Sequence, residues 1–139
     1  MRVLLDTDVV LDVMLARVPF AQAAAQLLDL AERGRFEAYL SSITPINVFY
    51  VARKAKSIGD LRQALGQLLR TVRVCPIDHS ILTGALASSI TDYEDAVQHD
   101  AAIASRLDAL ITRNLKDYQN ATLPIFSPTD FLNQLTSSK

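Results

Sequence analysis

Five short apolar runs, separated by longer stretches of helical periodicity, constrain this chain more than any other feature. The runs span residues 2–5, 36–40, 72–76, 109–112 and 123–126, each bounded by polar residues or proline, and they read as strands. Between them, apolar residues recur at helical spacing over 20–33, 46–56, 60–69, 81–88 and 94–107, with a short helix expected over 9–15. Connections of this length favour parallel pairing, because antiparallel neighbours can be joined by a tight turn. The expected fold is α/β, a three-layer α/β/α sandwich around a mostly parallel central sheet.

Boundary residues agree with this division. Gly34 follows Arg33 where a helix would end, Pro19 can open the helix over 20–33, and Asp78 can cap the helix over 81–88. Ser127-Pro128 pairs a cap with a first-turn proline ahead of Phe131, Leu132 and Leu135. With 139 residues, 50% of them hydrophobic, and only four Gly and five Pro, one domain over 1–135 and a frayed tail over 136–139 are expected. No apolar run approaches the ~20 residues of a membrane span, so no membrane is expected among the partners. Asp6 interrupts the first apolar run too early for a secretory leader, and the single cysteine, Cys75, cannot form an internal disulfide, so a cytoplasmic location is expected. Cys75 itself reads as a buried strand residue.

Ligands of parallel α/β sheets bind at the carboxyl ends of the strands, and here those ends are acidic. The first strand runs into Asp6-Thr7-Asp8, with Asp12 one turn on, and the fourth runs into Arg113-Asn114-Leu115-Lys116-Asp117-Tyr118. The helix before the fourth strand opens with Asp92-Tyr93-Glu94-Asp95 near the same edge. Carboxylates gathered there repel one another unless a positive charge sits among them. Oxygen ligands without His or Cys suit Mg²⁺ or Mn²⁺. Each acid also has a plainer reading: Asp92 and Glu94 as helix caps, Asp8 as the cap of the helix over 9–15, and Asp12 as a solvated residue of that helix. Asp6 and Asp95 fit such readings less well, since one closes a buried strand and the other stands in a rather apolar helix.

The segments LLDTDVVLD, SSITPINVFYVARK and DYEDAVQHDAAIASRLDALITRNLKDY, in this order and spacing, resemble the PIN domain family over essentially the whole chain. The resemblance implies a PIN-like fold and a metal-dependent ribonuclease of the VapC toxin kind, dependent on Mg²⁺ or Mn²⁺, acting on RNA, silenced by a cognate antitoxin and commonly a homodimer. It implies Asp6, Asp95 and Asp117 as catalytic and metal-binding acids, with Asn47, Thr112, Asn114 and Asp8 supporting. Arg113, Lys116 and Arg53 are the candidate RNA contacts. One departure stands out: where the family usually carries a Glu after the second strand, this chain has Asn47, which brings an oxygen but no charge.

Two alternatives compete. A degenerate PIN-fold module would bind RNA or protein without cutting, and Asn47 is its best support. A haloacid-dehalogenase-like phosphotransferase would use Asp6 as nucleophile in Asp6-Thr7-Asp8, but the only Gly-Asp, Gly59-Asp60, opens a helix and fails that signature. Elsewhere, residues 53–73 carry six bases against one acid, either an RNA-contacting ridge or the polar face of a helical hairpin. Phe49 and Tyr50 read as core or dimer packing rather than base-stacking platforms, His79 as a surface residue, and His99, one turn after Asp95, as a possible support for that carboxylate. The net charge of −1 is a cancellation: residues 1–15 and 92–118 hold nine acids and four bases, and the remainder six acids and ten bases. The total therefore does not exclude a polyanionic partner.

Overall fold

A computed structural model describes residues 1–137. The chain order is β1 (Arg2–Leu5), α1 (Thr7–Met14), α2 (Ala21–Glu32), β2 (Glu37–Ser41), α3 (Thr44–Ala52), α4 (Ile58–Thr71), β3 (Arg73–Cys75), α5 (His79–Ala85), α6 (Tyr93–Ala104), β4 (Ala109–Ile111), a 3₁₀ turn (Leu115–Tyr118), β5 (Ile125–Phe126) and α7 (Pro128–Ser137). All strand pairs are parallel, in the order β3-β2-β1-β4-β5. The pleat sends alternate side chains to opposite faces. Val3 and Leu5 pack with residues of α1, α2, α4 and α7, whereas Leu4 packs with residues of α5 and α6. This is the expected α/β/α sandwich.

The topology locates the site. From β1 the chain builds outward through β2 to β3, then returns to β1's other side as β4, so the connections diverge between β1 and β4. That divergence leaves a crevice at their carboxyl ends, where Asp6 and Thr112 lie.

Several local expectations hold. Gly34 has φ +80°, the left-handed conformation that favours glycine after a helix, and Asp78 accepts a hydrogen bond from the Ile81 N–H. Ser127 accepts from the Asp130 N–H, ahead of Pro128 at the start of α7. Cys75 is fully buried and His79 is exposed. Pro19 does not open α2, which starts at Ala21 after a turn containing the proline. Ser57 accepts from the Asp60 N–H, so α4 starts at Ile58, earlier than the apolar spacing indicates. The tail expectation also changes: α7 continues through Ser137, with the Thr136 and Ser137 hydroxyls bonded to carbonyls one turn back, and residues 138–139 lie outside the described part. Among the described residues, no helix is long and apolar enough to cross a membrane.

Phe131 anchors α7 to the sheet, fully buried and edge-on to Phe36 and Phe126 at centroid distances of 5.0 and 5.6 Å. Truncating it removes a fully buried ring from the core and opens a cavity there. Phe131→Ala is expected to cost about 3–5 kcal/mol in chemical denaturation; a loss under about 1 kcal/mol would contradict this packing.

Candidate active site

Asp6 is the N-cap residue of α1, with extended backbone (φ −64°, ψ 153°), and its N–H continues the β1–β4 ladder by donating to Ile111 O at 2.9 Å. Its side chain is not used to cap the helix. Instead the carboxylate is buried, 5% exposed, and each oxygen meets one donor: Thr112 Oγ1 at 2.7 Å and Gln98 Nε2 at 2.9 Å. Burial pushes its pKa up, and these two donors oppose the rise by favouring the charged form. Gln98 is fully buried; its Oε1 accepts from Thr44 Oγ1 at 3.3 Å, and Thr44 in turn lies 2.9 Å from Thr7 Oγ1. The described residues hold no buried side-chain nitrogen or oxygen without a partner.

The first turn of α6 forms the facing wall. Asp92 is the cap, accepting from the Asp95 N–H at 3.0 Å, as expected. Tyr118 donates its hydroxyl to Asp95 Oδ1 at 3.2 Å. Burial, then repulsion from Asp6 and Asp92, raises the Asp95 pKa to about 7, against the pull of Tyr118. Burial and the charges of Asp6 and Asp95 also push the Tyr118 hydroxyl far above its ordinary range, so it remains a proton donor. Glu94 is more than a capping acid. It lines the cleft, where burial and Asp6 raise its pKa while the Asn47 amide and Thr7 hydroxyl oppose the rise. A carboxylate thus stands beside Asn47.

The segment after β4 supplies the third wall. Asn114 donates to Asp8 Oδ2 at 2.8 Å, so Asp8 is bound across the cleft instead of capping α1. Asp117 is exposed on the 3₁₀ turn at the cleft rim. Asp12 is not solvated: it is fully buried and paired with Arg113. That pairing corrects the expectation for Arg113, whose guanidinium is engaged inside the protein rather than presented to phosphates. Lys116 is exposed, as is Arg53, whose guanidinium stacks on the exposed Tyr50 ring at 4.3 Å. Tyr50 is therefore not core. His99 is buried but bonds Thr122 and Asp100 rather than Asp95.

These walls enclose an open cleft of about 430 Å³. Asp6, Asp8, Asp92, Glu94, Asp95 and Asp117 line it together with Asn47 and Asn114, and no Lys, Arg or His of the described residues does. A cavity of about 500 Å³ between α2 and α7 has, among the described residues, one acid, Asp29, in its lining. Among the described residues, no three His, Cys, Asp or Glu side chains are already drawn together as a metal cage. The donor chemistry of the cleft nevertheless fits a hard divalent cation: the ligands are all oxygen, and the mutual repulsion is visible at Asp95 and Glu94. Of the residues singled out in the sequence, the fold brings Asp6, Asp8, Asn47, Asp95, Asn114 and Asp117 to one cleft, with Thr112 bonded behind it; the sequence pattern alone gave fewer of their partners. It missed Gln98, Thr44 and the role of Tyr118. For Gln98 the available signal was its place one helical turn after Asp95, which puts both on one face of α6.

Fold and site define a class, a parallel α/β domain with a carboxylate cleft at the switch point of its sheet. The chain belongs to the PIN domain family, whose sequence model matches residues 2–116. This membership sets aside the phosphotransferase alternative. Solved structures agree in fold. A toxin–antitoxin complex from Klebsiella pneumoniae contains a chain 26% identical (TM-score 0.67, covering 91% of this chain and 97% of that one). VapBC-1 from nontypeable Haemophilus influenzae is similar at 21% identity (TM-score 0.67, 93% and 99%). VapBC2 from Rickettsia felis, bound to a DNA fragment from their promoter, is similar at 19% (TM-score 0.66, 91% and 98%). No curated protein matches by sequence.

The raised Asp95 pKa has a thermodynamic consequence. Between its ordinary value of 3.8 and about 7, the folded protein retains a proton that the unfolded chain releases, so this group's contribution to stability falls as pH rises through that window. Asp95→Asn removes the effect. In metal-free buffer, the melting temperature of the variant relative to wild type is expected to increase between pH 5 and 8, and a constant difference would contradict the assignment.

Proposed function

We propose that the protein is a Mg²⁺- or Mn²⁺-dependent endoribonuclease, the toxin of a VapBC-type pair held in check by a cognate antitoxin in the cytoplasm. The carrying observation is the cleft itself, which the described residues line with six carboxylates and no cationic side chain. Asp6 and Asp95 would hold the metal, with Asp117 at the rim as the third catalytic acid. When bound, such an ion supplies Lewis acidity and neutralises charge at a phosphate. Thr112 and Gln98 hold the Asp6 carboxylate in one orientation, and Tyr118 does the same for Asp95. Asp117 is free to orient an attacking water, and Asn47 and Glu94 form the polar wall opposite.

RNA is the proposed substrate. Lys116, next to Asp117 on the 3₁₀ turn at the cleft rim, and Arg53, beside the cleft-lining Tyr50, are exposed cations suited to flanking phosphates. The complexes in which the similar chains occur support an antitoxin partner for this one. Exposed Ile46, Tyr50 and Val51 on α3 support a protein interface, in line with a homodimer. Asn47 favours the non-cleaving module, but Glu94 beside it returns a carboxylate to that wall and supports the catalytic reading.

Purified protein free of antitoxin is expected to cleave single-stranded or structured RNA in Mn²⁺ or Mg²⁺ and to stop on addition of EDTA. Asp6→Asn and Asp95→Asn are each expected to lose about a hundredfold or more in rate, the scale of removing one electrostatic stabiliser. Cleavage that survives both substitutions would overturn the assignment. Binding of RNA with no cleavage of any would favour the non-cleaving module.

A further inference from the structure

Asp12 and Arg113 form the most deeply placed ion pair of the described residues, and nothing in the proposed chemistry uses it. Asp12 is fully buried; Arg113 Nε donates to Asp12 Oδ2 at 2.7 Å and Nη2 to Oδ1 at 3.2 Å, a two-pronged contact. Arg17 Nη1 stands 3.7 Å from Asp12 Oδ1, and the Arg113 guanidinium lies over the Phe20 ring at 4.0 Å. A buried ion pair is a poor source of stability, because desolvating both charges offsets much of their attraction. Its position shows a different use.

Asp8 and Asp12 are one turn apart on α1, and their partners, Asn114 and Arg113, are consecutive in the segment after β4. The preceding residue, Thr112, bonds Asp6 and also accepts the Asn114 N–H at 3.0 Å. Three successive residues of one segment are thereby fastened to three acids at the start of the chain. The same segment continues directly into the turn that carries Asp117 and Tyr118.

We propose that Asp12 and Arg113 are positioning residues, a brace that fixes the segment after β4 so that Asn114 and Asp117 face the acidic cleft. The brace bears on metal binding only if the proposed function is right, whereas its effect on the segment does not depend on that reading. Arg113 cannot be replaced by lysine without loss, since an ammonium cannot reproduce the planar fork.

The test separates positioning from stability. The double variant Asp12→Leu/Arg113→Met removes the buried carboxylate together with its half-buried partner and keeps apolar volume, so its melting temperature is expected to stay close to wild type or exceed it. Despite that, hydrogen exchange of the Asn114 and Asp117 amides should be about tenfold faster or more, with the central strands unchanged. Calorimetric titration with Mn²⁺ alone should show affinity weaker by about tenfold, as when the supporting partners of a metal site are removed. Wild-type exchange at both amides in a folded double variant would overturn the brace. If the double variant does not fold, Arg113→Lys carries the test: faster exchange at Asn114 supports the brace and unchanged exchange overturns it. Failure of the wild-type protein to bind Mn²⁺ would sink the proposed metal site, and the exchange data would still decide the brace.

Discussion

The carboxylate of Asp6, buried where β1 ends, is the constraint on which the rest of the site depends. A carboxyl group at 5% exposure is tolerated only when its oxygens are hydrogen-bonded, and Thr112 and Gln98 donate to them from β4's exit and α6. Satisfying one acid therefore draws together elements separated by about a hundred residues of sequence. Gln98 is in turn held by Thr44 at the start of α3, so every wall of the cleft connects to Asp6 through one or two hydrogen bonds. The sheet topology makes this economical, because β1 and β4 are neighbours at the point where the connections diverge.

The acids that face this centre are left in conflict. Asp95 and Glu94 are both pushed towards protonation by burial and by Asp6, while Arg113, in the segment after β4, is engaged with Asp12. That engagement leaves a site with unbalanced negative charge, the condition in which a hard cation gains most from binding. The basic residues lie outside: Arg53, Lys54, Lys56, Arg62, Arg70 and Arg73 are all exposed, so the near-neutral total divides into an acidic cleft and a basic surface.

Most of the fold was legible in the sequence because buried strands and amphipathic helices differ in period, and runs such as Val3-Leu4-Leu5 and Ala109-Leu110-Ile111 have no helical alternative of that length. Helix starts were legible at the caps Asp78, Asp92 and Ser127, whereas the Ser57 cap ahead of the apolar spacing of α4 was not, and α2 starts one residue late, after the turn that holds Pro19. The acids of the cleft were legible from their place at strand ends. Their individual partners were not, since a fully buried Gln98 and an exposed Gln119 look alike in sequence. Asp12 shows the same limit: on a helix of eight residues its spacing allows either solvent or a buried ion pair, and only the fold brings Arg113, 101 positions later, to it.

Diffraction from crystals soaked in Mn²⁺, recorded at a wavelength where manganese scatters anomalously, tests the central claim most directly. The account predicts one or more anomalous peaks in the cleft, with carboxylate oxygens of Asp6 and Asp95 within roughly 2.0–2.6 Å of one ion. A cleft without a peak at saturating Mn²⁺, or an ion bound elsewhere while Asp6 and Asp95 stay apart, would contradict it.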